Sequence, residues 1–240
     1  MKSFKPGDKI IGFGGAFGCG SHAQYFILPE KKATKAIVPL PSNLTYDEAA
    51  ACLEGAFYAA SVIMPLKPTH GQKALVYGAT GAIGSSYVQF LKYYGASITA
   101  VCGGENEELV RSLGADKIID YKKEDFTKDS ERYDFIFDGV GKISFLKCKK
   151  LLKKKGAYTS SNGAINLLWL FITPLFGGKK VVFSIPKSFN AVLNFIKDLV
   201  EKGKFKPVID RKYPLEKIAE AYTYVASGQK IGNVIITMDA

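Results

Sequence analysis

Short apolar runs recur through the middle of this chain, at residues 74–77, 97–102, 117–120, 133–138 and 156–160. Each is rich in β-branched or aromatic side chains and has the length of a buried strand. Between them lie helix-like stretches: 85–94 ending at Gly95, 105–113 closed by Gly114, and 142–155. Glycine just past the last periodic residue is a helix stop. Strands alternating with helices predict parallel βαβ units with right-handed crossovers, and hence an α/β fold on a doubly wound parallel sheet. A late run at 179–185 follows Gly177-Gly178 and reads as one more strand. In such sheets a ligand lies at the carboxyl ends of the strands, beside the point where strand order reverses.

The flanks read differently. Residues 1–44 are rich in glycine and short β runs. Within them 9–13 and 24–28 predict two strands joined by the glycine turn from Gly14 to Gly20. Pro39-Leu40-Pro41-Ser42 is a connector, and Thr45 is placed to cap a helix starting at Tyr46. The last stretch predicts a helix at 190–202, a strand at 207–210, a helix at 214–226 and a strand at 233–237. Pro214 suits a first helical turn, and Gly228 a helix end. The expected division is 1–44, 45–187 and 188–240, with the large sheet in the middle segment.

The segment Gly78-Ala79-Thr80-Gly81-Ala82-Ile83-Gly84 joins the first of the central strands to the first of the central helices. A pyrophosphate needs close backbone approach, so side chains must be absent where it sits. The free N–H groups of a helix's first turn, with the positive end of its dipole, then face the phosphates. The spacing G-x-x-G-x-x-G is not the commoner G-x-G-x-x-G, and by itself it equally marks a glycine-rich turn with no ligand. Its place in a strand–turn–helix unit of an alternating sheet favours a dinucleotide. At the end of the second strand, an acid would bind the ribose 2′-hydroxyl of NAD. Val101-Cys102-Gly103-Gly104 has none, which leaves room for a 2′-phosphate, although Glu105 would oppose one.

Further stretches carry a resemblance: Lys5-Pro6-Gly7-Asp8-Lys9, Ala49-Ala50-Ala51, Gly71-Gln72-Lys73-Ala74-Leu75-Val76-Tyr77-Gly78-Ala79, Ser112-Leu113-Gly114-Ala115-Asp116 with Ile119-Asp120-Tyr121, and Gly232-Asn233-Val234-Ile235-Ile236. In these, and in their order, the chain resembles the zinc-free quinone oxidoreductase branch of the medium-chain dehydrogenase/reductases. The resemblance covers essentially all 240 residues. It implies a Rossmann domain over 45–187, flanked by a barrel-like (GroES-like) catalytic domain whose amino-terminal part is missing. It also implies a homodimer, because the strand at 179–185 corresponds to an edge strand that pairs across a two-fold axis; an ordinary strand covered within the monomer is the alternative. The cofactor set it implies begins with Gly78, Thr80, Gly81, Ala82, Ile83 and Gly84 at the pyrophosphate. Cys102 would pack near the adenosine, and Tyr121 matches a tyrosine that contacts the 2′-phosphate. Asn106 stands where a basic residue is often found, so the expected cation is missing. Val140-Gly141 resembles the turn that passes under the nicotinamide. Lys230 and Asn233 lie in the segment that reaches back to the cofactor or substrate, Lys230 being equally readable as a solvent-facing loop lysine. Tyr58 replaces a small threonine and either shields the nicotinamide on the substrate side or fills core space. The family's substrate-side asparagine has no counterpart here, and no catalytic side chain is assigned.

Composition narrows the rest. A hydrophobic content of 47% supports a real core rather than disorder. The run 165–176 is the most apolar, but Thr173-Pro174 and Gly177-Gly178 interrupt it, so it reads as a buried or interface helix and not a membrane span. The net charge is +11, much of it in Lys147, Lys149, Lys150, Lys153, Lys154 and Lys155. On a helix Lys147, Lys150 and Lys154 would share one face, read as solvated, since no nucleic-acid motif accompanies it. Cys19, Cys52, Cys102 and Cys148 are scattered, which suggests neither disulfides nor a structural zinc. Cys52 and His70 lack partners at ligand spacing, so catalytic zinc is not expected. His22 and His70 fall in turns and are not assigned as acids. With no signal-peptide pattern after Met1, a reducing cytoplasm is the expected setting.

The expected function is NADPH-dependent reduction of a quinone, enone or alkenal, with NAD the alternative nucleotide. A dinucleotide-binding protein with little catalysis is the second reading, and a basic RNA binder the third.

Overall fold

The computed structural model describes residues 4–13, 22–162, 166–183, 186 and 188–238. Met1–Phe57 with Pro186–Ala240 forms one unit, and Tyr58–Ile185 a second.

The first unit opens with β1 (Ile10–Gly12), α1 (Glu30–Ala36), β2 (Ile37–Pro39) and α2 (Tyr46–Ala51), and the unit boundary falls within α3 (Glu54–Leu66). Strand β1 pairs antiparallel with β2, with Ile11 opposite Val38. The expected strand at 24–28 does not form. Tyr25 and Ile27 are almost fully exposed, so among the described residues no sheet partner or core rewards extension there. The turn Gly14 to Gly20, with Cys19, lies outside the described residues. Helix α2 begins as expected. The Thr45 hydroxyl accepts the Glu48 N–H at 3.2 Å, and the Glu48 carboxylate accepts the Thr45 N–H at 3.0 Å. This reciprocal capping box satisfies two donors that a helix start leaves open.

The second unit holds β3 (Lys73–Tyr77), α4 (Ala82–Tyr93), β4 (Ser97–Cys102), α5 (Glu107–Ser112), β5 (Lys117–Asp120), β6 (Tyr133–Asp138), α6 (Phe145–Cys148), β7 (Leu152–Ser160), α7 (Leu167–Ile172) and β8 (Lys180–Val181). These strands form one sheet in the order β5-β4-β3-β6-β7-β8, all neighbours parallel. The first strand, β3, sits in the middle, and the chain reverses direction of travel between β3 and β6. That is the doubly wound arrangement expected from the sequence. Leu75, Val76, Ile98, Val101, Ile136 and Phe137 are wholly excluded from solvent, as strands covered on both faces require.

One expected helix is corrected. Residues 142–155 do not form a single helix: α6 covers Phe145–Cys148, a short 3₁₀ turn follows, and β7 starts at Leu152. Leu151 and Leu152 belong to the core cluster, and Leu152 pairs with Tyr133 of β6. Sheet pairing therefore overrides helix propensity, and Lys153, Lys154 and Lys155 are exposed on extended backbone. The basic helical face of Lys147, Lys150 and Lys154 does not exist. In the run expected to be a buried or interface helix, α7 and the following 3₁₀ turn leave Leu168, Phe171, Leu175 and Phe176 exposed, while Trp169 and Leu170 pack against the core.

The chain ends in the first unit with α8 (Phe189–Glu201), β9 (Ile209–Pro214), α9 (Ile218–Ala226) and β10 (Asn233–Thr237). Strands β9 and β10 are parallel, a small βαβ unit across α9. Pro214 closes β9 instead of opening a helix, because Tyr213 and Pro214 extend the pairing with Ile236 and Thr237. No helix among the described residues is long and apolar enough to cross a membrane.

Candidate functional site

The turn after β3 is shaped by contacts that only glycine permits. Gly78 has φ +72°, and a Cβ there would overlap the Val140 side chain. A Cβ at Gly84 would fall on the Gly78 carbonyl. A Cβ at Gly139, after β6, would press on the Gly84 amide at 3.0 Å. Three glycines from two strand ends thus let turn, helix and neighbouring loop approach closely. Gly81 differs: a Cβ there would meet only the Gly78 carbonyl oxygen, at 3.6 Å. Space lies open in front of it.

The Gly78 and Ala79 N–H groups donate to the Val101 carbonyl at 3.0 and 3.2 Å, which ties the turn to the end of β4. Gly81 caps α4 with no side-chain acceptor, and no acidic residue occupies the helix's first turn. The start of α4 at Ala82, Ile83 and Gly84 therefore offers amide dipoles to an anion. From Gly84 to Leu91 the helix is buried against the sheet, so its axis is fixed. Glycine cradle, open approach at Gly81 and bare helix start fit a dinucleotide pyrophosphate.

Beside the turn, β6 ends in Asp138, a buried carboxylate. One oxygen accepts the N–H groups of Val140 and Gly141 at 3.1 and 2.7 Å. The other accepts Ile143 N–H at 3.1 Å and the Ser160 hydroxyl at 3.0 Å. Gly141 adopts φ +78° within this loop. Asp138 thereby holds the expected Val140-Gly141 turn against the ends of β3 and β6. Sequence reading placed Asp138 only at a strand end. An acid followed by Gly-Val-Gly after a buried strand is the signal that was available, since Asp side chains commonly close such turns.

On the other side of β3, the ends of β4 and β5 run together, Cys102 opposite Asp120. Cys102 is buried, and burial pushes its thiol up to about 11. Asn106 is half-buried and opens α5 without capping it by side chain. Tyr121 donates its backbone N–H to Cys102 at 3.2 Å and leaves its ring 53% exposed. The Lys122 ammonium donates to Glu105 at 2.7 Å, and Lys123 stands 3.6 Å from Asp120. The Lys122 hydrogen bond holds the Glu105 carboxyl below its usual range, and the Lys122 backbone N–H does the same for Asp120. A cation is therefore present at this edge. It stands in the turn after β5, not at the Asn106 position.

Tyr58 lies on α3 with its side chain 51% exposed, while Ala59 and Ala60 are buried, so it does not fill the core. The structure thus collects Gly78 to Gly84, Cys102, Asn106, Tyr121, Val140 and Gly141 at the carboxyl ends of one sheet. Lys230 and Asn233 belong to the first unit. There the Lys230 ammonium donates to the Gly232 carbonyl at 2.7 Å, and burial lowers its pKa. It is not a solvent-facing loop lysine. The Asn233 amide donates to the Val208 carbonyl at 2.9 Å. Among the described residues, no three His, Cys, Asp or Glu side chains converge as metal ligands.

Comparison with known proteins agrees with this geometry. The zinc-binding dehydrogenase family matches residues 113–236. The chain is 31% identical to a chloroplast envelope quinone oxidoreductase homolog of Arabidopsis thaliana, over 98% of this chain and 74% of that protein. It is 31% identical to the chloroplastic NADPH-dependent alkenal/one oxidoreductase of the same plant, over 98% of this chain but 59% of the relative's length. The quinone oxidoreductase of Pseudomonas syringae superposes with a TM-score of 0.81 at 23% identity, over 97% of this chain and 75% of that one, a likeness of fold. With its glycine turn at the switch point of a doubly wound sheet, the chain belongs to the medium-chain dehydrogenase/reductase superfamily, in the zinc-binding dehydrogenase family that includes the quinone oxidoreductases.

Proposed function

We propose that the second unit binds NADPH along the carboxyl ends of β3, β4, β5 and β6, and that the chain transfers hydride to a small quinone, enone or alkenal without zinc. The observation that carries this reading is the turn at Gly78 to Gly84, open in front of Gly81 and backed by an uncapped helix start. The names of the two plant relatives, a quinone oxidoreductase homolog and an NADPH-dependent alkenal/one oxidoreductase, support the substrate class and the nucleotide.

When bound, the nicotinamide supplies the hydride, and the protein's task is orientation and exclusion of water. The amide groups at the start of α4 hold the pyrophosphate. Asp138 fixes the Gly139 to Gly141 backbone, the turn that would support the nicotinamide, and its partners there are structural donors. Tyr58 is the proposed substrate-facing side chain of this unit. Tyr121 and the lysines after it face the adenosine end. The proposed setting is a reducing cytoplasm, in which the buried thiols of Cys52, Cys102 and Cys148 stay free.

The test combines calorimetry with NADPH and NADH and absorbance-followed oxidation of NADPH against a panel of quinones and enones, with and without a zinc chelator. The expected result is NADPH binding tighter than NADH, and chelator-insensitive turnover. Failure to bind either nucleotide overturns the proposal. Binding without turnover on any acceptor supports the second reading, a dinucleotide-binding protein with little catalysis.

A further inference from the structure

The edge formed by β4 and β5 carries two acids and two lysines in a matched arrangement. After Cys102 the backbone passes through Gly103 and Gly104 with no side chains, and two carboxylates cover that stretch. Glu105 folds back so that its oxygen would stand 2.6 Å from a Cβ on Gly103, and Asp120 would stand 2.5 Å from one on Gly104. Lys122 meets the first acid at 2.7 Å and Lys123 approaches the second at 3.6 Å. Seventeen residues separate Glu105 from Lys122 in sequence, and the pairing of Cys102 with Asp120 brings them together.

The chemistry of the two lysine–acid pairs differs. Asp120 is only 13% exposed and also accepts the Lys122 backbone N–H at 3.0 Å, so it is committed to the turn that presents the lysines. Glu105 and Lys122 are both more than half exposed. An exposed ion pair of this kind is held weakly and exchanges partners readily. A phosphate monoester carries close to two negative charges and more acceptor oxygens than a carboxylate, so it competes well for an ammonium. A free ribose hydroxyl needs an acceptor instead, and a carboxylate at this position provides one.

We propose that the Glu105–Lys122 pair is the nucleotide selector of this chain: Lys122 leaves Glu105 to pair with the 2′-phosphate of NADPH, and Glu105 accepts the 2′-hydroxyl of NADH. The inference rests on the dinucleotide reading above and assigns discrimination to a lysine that follows Tyr121, in the turn after β5. Glu105 then has two effects. It competes with the phosphate for Lys122, and it accepts the hydroxyl of the unphosphorylated nucleotide whether or not Lys122 is present.

The test is calorimetry on the full chain with four probes: NADPH, NADH, 2′,5′-ADP and 5′-AMP. The two fragments report on the adenosine end alone. Both side chains are exposed, so Lys122→Met and Glu105→Gln are expected to keep the wild-type circular dichroism spectrum. Lys122→Met should weaken NADPH and 2′,5′-ADP by about tenfold, the loss of one charge-assisted hydrogen bond, and leave NADH and 5′-AMP within twofold. It should also flatten the salt dependence of NADPH binding. Glu105→Gln should tighten NADPH several-fold and weaken NADH. Equal losses for both nucleotides in Lys122→Met, or no loss for either, overturn the selector while the dinucleotide site stands. Wild-type protein that binds neither nucleotide removes the site itself, and the selector with it.

Discussion

A Cβ at Gly81 would meet only one carbonyl oxygen, at 3.6 Å, whereas a Cβ at Gly84 would land on that same oxygen. The two glycines of one turn therefore have separable roles. Gly81→Asp should fold with a wild-type melting temperature and lose NADPH, because its carboxylate would occupy phosphate space and oppose its charge. Gly84→Ala should instead lose about 1–3 kcal/mol of stability, the usual cost of forcing an extra methyl into a packed contact. Urea unfolding beside calorimetry separates them: a destabilised Gly81→Asp, or a Gly84→Ala of unchanged midpoint, contradicts the geometry. At the adenosine end, Tyr121→Phe should weaken NADPH by about 1 kcal/mol and spare NADH, the scale of one hydrogen bond. NADH affinity falling in parallel would remove Tyr121 from the phosphate site. The glycine turn was legible in the sequence because its signal is local: three glycines at fixed spacing between a strand and a helix. Gly139, Asp138 and Lys122 were not read, because each matters only through a neighbour that the sheet brings to it from another strand.

Local signals also explain which elements could be read. Strands β3 to β6 are short apolar runs because both faces are covered, and such runs need no tertiary knowledge to be seen. Helix α3 was missed because its sequence, from Glu54 to Leu66, is apolar almost throughout and shows no polar face to mark a period. At 151–152 two leucines suited either helix or strand, and only pairing with Tyr133 decides for β7. Helix α2 stands at the other extreme, since Thr45 and Glu48 announce its start. Thr45→Ala should cost about 1 kcal/mol by urea unfolding, the usual worth of a cap. Its pH dependence follows from Glu48, whose carboxyl is held below its ordinary range, first by the Thr45 N–H. A carboxyl depressed in the folded state lends stability above its unfolded pKa and loses it as pH falls through the folded value. Glu48→Gln should therefore lose less stability than wild type on acidification from neutral pH to below 4, an interval set by the ordinary carboxyl value of 4.5. Parallel acid profiles for the two proteins would contradict the role of the cap.

At the scale of the whole molecule, one edge of the large sheet is, among the described residues, a short strand. Strand β8 is two residues long and lies at the end of the strand order, while Ser184 and Ile185 of the expected edge strand lie outside the described residues. Near it in sequence Leu175 and Phe176 are each 80% exposed, and Phe183 is exposed as well. An apolar edge of this kind invites another chain, and the reading we propose is a second copy across a two-fold axis. Charge opposes it. Each copy carries +11, and Lys179 and Lys180 flank the edge, Lys179 already disfavoured as a cation by desolvation and by its neighbour Lys149. Apolar contact favours the dimer and lysine repulsion resists it, so added salt should strengthen association by screening the repulsion over about 8 Å at physiological ionic strength. Nucleic-acid binding through the same lysines would show the opposite trend, since salt weakens contacts to phosphate backbones. Light scattering should give twice 26.2 kDa, with the dimer tighter at high salt, and Phe183→Asp should yield a monomer that still binds NADPH. A wild-type monomer at every salt concentration would show that the edge stays single and that its exposed aromatic side chains belong to another role.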